Sequence, residues 1–160
     1  MQADIMAESL GILLVDNEES DAELFRIAVE FAGLNIQLHR VTDGQKAIDY
    51  LSGKGIYKDG KEYPVPDLIV VGLFLPVVSG LDFLKWCRTA AICRHLPVVV
   101  WTGGLKSEEP VQEALKAGAD RLYFKSASME NTENTIREIF SLGMERKKAR
   151  KSSGGPRLDS

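Results

Sequence analysis

Short apolar runs alternate five times along the chain with stretches whose apolar positions recur at helical spacing. The first run, Gly11 to Val15, ends at Asp16-Asn17. Ser20 and Glu23 then have the spacing of a capping box, in which a hydroxyl and a carboxylate satisfy free N–H groups at a helix start. Leu24, Ala28, Phe31 and Ala32 follow on one helical face, and Gly33 stops the helix. Ile36 to Val41 alternates as a strand does, and Asp43 is placed to cap a helix carrying Ala47, Ile48 and Leu51. Leu68 to Val71 is a continuous apolar strand that passes through Gly72 into a Pro/Ser/Gly turn ending at Gly80. Ser79 is placed to cap the third helix, and Pro97 to Trp101 is a β-branched fourth strand. Ser107 opens a helix bearing Val111, Ala114 and Leu115, which Gly118 ends. Arg121 to Phe124 is the fifth strand, and the last helix begins near Ser128 with Ile136, Ile139 and Phe140 inward.

Five strands alternating with helices predict an α/β fold, a doubly wound parallel sheet with right-handed crossovers and strand order 2-1-3-4-5. In such a sheet functional groups gather at the carboxyl ends of the strands, near the switch point between strands one and three. Those ends carry Asp16-Asn17, Gly72, Thr102 and Lys125.

The 160 residues, 44% apolar and 27% charged, suit one domain with a sizeable core. A net charge of −3 gives no global basis for nucleic-acid binding. The exception is the basic run Arg146 to Lys151, followed by a turn-rich polar segment. The boundaries expected are a flexible N-terminus over 1–10, a domain over 11–146, and a basic then disordered tail over 147–160, with disorder from about Lys151. Cys87 and Cys93 lack metal-ligand spacing and are too few for a disulfide framework, so both are expected as free thiols. No apolar run approaches the ~20 residues that span a bilayer. A soluble, cytoplasmic protein without membrane or nucleic-acid partners is expected, and no output domain for direct gene regulation.

The motifs then converge on one family. Ile12 to Ser20 with its Asp16-Asn17, Pro66 to Gly80, Val98 to Thr102 and Ala117 to Lys125 resemble, in order and register, the acidic opening, phosphoacceptor strand, hydroxyl strand and lysine strand of response regulator receiver domains in two-component signalling. The resemblance implies a flavodoxin-like (βα)5 fold over roughly Gly11 to Leu142. The long connection Gly53 to Pro66 further resembles stand-alone receivers that include partners of bacterial phytochromes. By this resemblance Asp16 and Asn17 hold the metal-binding positions, Gly72 that of the phosphoacceptor, Phe74 that of a metal-binding carbonyl, and Thr102 and Lys125 those of the phosphoryl-binding hydroxyl and ammonium. Leu122 stands where the family has a switch aromatic, and Ser126 where it has a proline.

A glycine has no oxygen to accept a phosphoryl group. Asn17 is neutral as well, so the pocket keeps one of its three expected carboxylates and Lys125 is free to pair with Asp16. Mg²⁺ relies on hard oxygen ligands, and loss of metal binding is therefore expected, with no cofactor. Asp67 lies five residues before Gly72, about 16 Å away at roughly 3.3 Å per strand residue, and cannot substitute. Asp82 belongs to a solvated helix face. Gly72 has a backbone explanation too, a positive φ or a close approach. Asp16 also fits a helix-start carboxylate, Trp101 reads as core, and His39 and His95 as structural or solvated. Gly103-Gly104 could expose N–H groups to an anion or form a mobile connection.

The reading is a non-enzymatic, phosphorylation-independent pseudo-receiver in bacterial signal transduction. It would dock a signalling protein such as a histidine kinase or downstream effector, or a second copy, through helix four, strand five and helix five. The alternatives are a receiver with an unusual phosphoacceptor that retains phosphoryl transfer, and a small-ligand or anion sensor using the vacated pocket.

Overall fold

Strands β1 (Leu10–Val15), β2 (Ile36–Val41), β3 (Leu68–Val71), β4 (Val98–Thr102) and β5 (Arg121–Phe124) alternate with helices α1 (Glu19–Ala32), α2 (Gly44–Ser52), α3 (Gly80–Thr89), α4 (Glu109–Lys116) and α5 (Met129–Gly154). This computed structural model describes residues 8–103 and 108–154. All strand pairs are parallel, in the order β2-β1-β3-β4-β5, the flavodoxin-like arrangement the alternation predicts.

Both sheet faces are covered, which is why β1, β3 and β4 read as unbroken apolar runs. The pleat divides them: Leu13, Val15, Ile69, Val71, Val98 and Val100 pack toward α2, α3 and α4. Ile12, Leu14, Val70, Val99 and Trp101 pack toward α1 and α5. Each fully buried large apolar side chain contributes about 1.5–3 kcal/mol. Asp43 and Ser79 cap as expected, their side chains accepting the Lys46 and Asp82 backbone N–H groups at 2.8 and 3.1 Å. The rings of Tyr57 and Tyr63, in the connection after α2, meet each other and that of Tyr50 on α2 with centroids 5.1–5.8 Å apart.

Several expectations are corrected. No capping box forms at α1: the helix starts at Glu19, its cap residue Glu18 makes no side-chain cap bond, and Glu23 instead pairs with Arg26. The buried face of α1 is Ala22, Phe25, Ala28 and Val29, while Phe31 is exposed. Phe25 wins the core position because its ring meets Trp101 edge-on at 5.1 Å, a contact worth ~1 kcal/mol beyond area. On α4, Ala114 is buried and Leu115 is exposed. Pro110 sits in the first turn of α4, where its missing N–H costs nothing. The opening assigned to Ser107 lies outside the described residues.

The largest correction concerns the basic run. Helix α5 continues through it to Gly154, well past the boundary drawn at 146 and past Lys151. Lys147 and Arg150 lie against Asp67, Arg146 against Asp120. These ion pairs dock the helix extension on the amino-terminal end of the sheet, so the run is part of the domain. The rest of the expected disordered tail and most of the flexible N-terminus lie outside the described residues. No helix among the described residues is long and apolar enough to cross a membrane.

Candidate functional site

The chain enters the site where β1 ends. The Asp16 N–H still donates to Val41 across the sheet at 3.1 Å, so the residue is held as the last rung of the ladder. Arg40 fixes the same backbone from the other side, donating to the Asp16 carbonyl at 3.1 Å and to Glu19 Oε1 at 3.0 Å. The Asp16 carboxylate is only 2% exposed. Its Oδ1 accepts the Glu18 N–H at 2.8 Å, which aims Oδ2 across the strand ends.

Lys125 meets it there. At the end of β5 the Lys125 N–H donates to the Thr102 carbonyl at 2.7 Å, and its Nζ reaches 2.9 Å from Asp16 Oδ2. The same ammonium donates a hydrogen bond to Asp21 Oδ2 at 2.9 Å and lies 5.0 Å from the Trp101 ring centroid. Asp21 takes the directed bond, whereas Asp16 Oδ2 receives charge without an aligned N–H. Burial lowers the ammonium's proton affinity, but its close pairing with the Asp16 and Asp21 carboxylates outweighs it and holds its pKa above the usual lysine value. The pairing of Lys125 with Asp16 follows the sequence expectation. Asp21 does not: its place in a supposed capping box hid it, although an acidic residue in the first turn after β1 faces the same strand ends. Trp101 is core, as expected, and its buried ring also lies beneath the cation.

Gly72 closes β3, its N–H donating to the Val15 carbonyl at 3.0 Å. Neither backbone explanation for this glycine holds. Its φ is not positive, and an added Cβ would lie 3.6 Å from Asp16 Oδ2 and 3.8 Å from Leu75, ordinary contacts. The close approach belongs instead to Gly80, where a Cβ would collide with the Gly72 carbonyl oxygen. Between them the loop turns sharply, with Val77 at φ 66° and the Val78 N–H donating to Pro76 O at 2.8 Å. A β-branched residue in that region carries strain, and its side chain is exposed, as is that of Phe74 on the cleft.

The residues enclose a cleft of about 640 Å³ that gathers Asp16, Asn17, Gly72, Phe74, Thr102 and Lys125 at the carboxyl ends of the strands, with Asp21 and Leu24 from α1. Thr102 is buried, and Asn17 is exposed on the cleft wall. Leu122 lies outside it, packed against the core on the α3 and α4 side. Among the described residues, the cation of the cleft is Lys125, shared by the carboxylates of Asp16 and Asp21.

The sequence profile of the response regulator receiver domain matches residues 12–137. The polar-differentiation response regulator DivK of Brucella ovis is 30% identical over 114 residues, 71% of this chain and 80% of DivK. The bacteriophytochrome response regulator AtBRR superposes with TM-score 0.67 at 28% identity, covering 82% of this chain and 92% of AtBRR. The response regulator RPA3017 in red light signaling of R. palustris shares the fold with TM-score 0.75 at 22% identity, covering 82% of this chain and 91% of that one.

Proposed function

The chain belongs to the response regulator receiver domain family of two-component signalling, and from that premise we propose that it is a pseudo-receiver, a protein-binding module whose docking does not depend on phosphorylation. The observation that carries this reading is the glycine at the end of β3 beside an ammonium already engaged by Asp16 and Asp21. A receiver's phosphoryl group needs a nucleophilic oxygen at that strand end and a lysine free to bind the product; here the first is missing and the second is taken.

The family's divalent metal does not fit these residues. Asp16 Oδ2 faces the Lys125 ammonium at 2.9 Å, Asn17 is neutral, and Gly72 offers no side-chain oxygen. Neither a cofactor nor catalytic turnover belongs to the proposed role. The docking surface is the face of α4, β5 and α5, where Leu115 and Phe124 are exposed, and its partner is a histidine kinase, a downstream effector or a second copy of the chain. The setting is the bacterial cytoplasm.

Incubation with acetyl phosphate and Mg²⁺ followed by intact-mass measurement tests the reading. The protein as it stands keeps its mass, whereas Gly72→Asp combined with Asn17→Asp gains one phosphoryl group, because the position admits a Cβ without strain. A phosphoryl adduct on the unsubstituted chain refutes the proposal.

A further inference from the structure

The thiols of Cys87, in the last turn of α3, and Cys93, in the turn that leads to β4, face each other in the core. Cys87 Sγ lies 3.6 Å from the Cys93 carbonyl oxygen, and Cys93 Sγ 3.5 Å from the Cys87 carbonyl oxygen. This reciprocal reach places each thiol against the other residue's backbone, the kind of proximity that a disulfide requires. We infer that Cys87 and Cys93 are a modification site, a dithiol that hydrogen peroxide converts to a reversible intrachain disulfide. The inference rests on the thiols alone and stands apart from the pocket at the other end of the sheet.

Burial would make either cysteine inert if the segment between them were rigid. That segment is a surface turn. Ile92, Arg94 and His95 are exposed, and the turn is held by the Cys93 and Arg94 N–H groups donating to Ala90 O at 3.2 and 2.8 Å, by the Leu96 N–H donating to Cys93 O at 3.0 Å, and by one side chain from outside it, Arg88, on the carbonyls of Arg94 and Leu96. It opens without separating any strand pair, and a small peroxide then reaches the sulfur. Hydrogen bonding from Cys87 pulls the Cys93 thiol below its ordinary range, against burial and with help from the Arg88 guanidinium, while the same pairing and burial push Cys87 up. Cys93 lies on the turn that opens whereas Cys87 stays within α3, so Cys93 is the first to meet the peroxide.

The steps balance. The Cys93 thiolate attacks the peroxide, an S–O bond forms as the O–O bond breaks, and the leaving hydroxide takes up the thiol proton as water. Cys87 sulfur then attacks the sulfenic sulfur, S–S forms as S–O breaks, and a second water leaves with the Cys87 proton. Two thiols are oxidised by two electrons and one peroxide is reduced. The bridge would fasten α3 to the turn that Arg88 already holds through the carbonyls of Arg94 and Leu96, and Arg88 also bonds Gly118 O and Asp120 at the α4–β5 junction.

To test this, the native full chain is treated with hydrogen peroxide, alkylated with iodoacetamide in denaturant, and digested without reductant for mass spectrometry. The expected product is a peptide joined through Cys87 and Cys93, two hydrogen atoms lighter than the reduced pair and separated by dithiothreitol. In Cys87→Ser, dimedone traps a sulfenic acid at Cys93, and in Cys93→Ser it traps none at Cys87. Recovery of both cysteines in alkylated form, or as higher oxides without a bridge, overturns the proposal.

Discussion

The two ends of the sheet solve opposite charge problems with the same residue types. At the amino-terminal end, Asp67 accepts the Gly11 N–H at 2.8 Å and meets Lys147 and Arg150 at 3.2 and 3.6 Å. Asp120 accepts the Val98 N–H at 2.9 Å and meets Arg88 and Arg146 at 2.9 and 3.1 Å. Each carboxylate there has two cations and a backbone donor. At the carboxyl end the ratio inverts, because Asp16 and Asp21 share the single ammonium of Lys125 beside an open cleft. A surplus of cations makes a clasp that tolerates loss of one partner, whereas a shared cation makes a site in which one deletion strands a buried charge.

The largest expected effect follows from that asymmetry. Lys125→Met leaves Asp16 buried without a counter-charge and should cost about 3 kcal/mol in urea denaturation. Adding Asp16→Asn should restore most of it. A loss no greater than that of an exposed pair, under about 1 kcal/mol, would break the comparison.

At the clasped end the effects are smaller and ordered. Asp120→Asn should cost about 2 kcal/mol, because it weakens one close guanidinium contact at 2.9 Å and another at 3.1 Å while the amide can still accept the Val98 N–H. Asp67→Asn should cost about 1 kcal/mol, since its cations lie farther away. The reverse order, read by the same denaturation curves, would show that the Lys147 and Arg150 contacts dominate the docking of α5.

The smallest effect is alkaline. Burial, with the charges of Tyr57 and Tyr63, raises the Tyr50 hydroxyl to about 12 from 10.0. The native state thus keeps a proton that the unfolded chain releases first. Stability from this group is intact below pH 10 and is lost as pH rises toward about 12. The raised lysine at the other end acts with the same sign, its contribution full below 10.5 and lost above it. Melting temperature followed from pH 9 to 11.5 should fall less steeply in Tyr50→Phe than in the unsubstituted protein. Equal slopes would place the alkaline loss at Lys125 or at the other raised tyrosines, Tyr57, Tyr63 and Tyr123.

Local chemistry was legible in the residues themselves. Apolar runs bounded by turn residues determined the strands, and Asp43 and Ser79 determined two helix starts, because a cap bonds an N–H only three residues away. The ordered ends Asp16, Gly72, Thr102 and Lys125 were legible because a parallel sheet brings its carboxyl ends together whatever the loops do. What tertiary structure decided lay at long range. Trp101 selected Phe25 over Phe31 as the inward residue of α1, a choice that helical spacing alone leaves open. Asp67 and Asp120 held the polar end of α5 as ordered helix, where its composition taken alone resembles a solvated tail. Asp21 became the second partner of Lys125 across 104 residues, because the strand order sets the end of β5 and the first turn of α1 over one cleft, a proximity that no local pattern encodes.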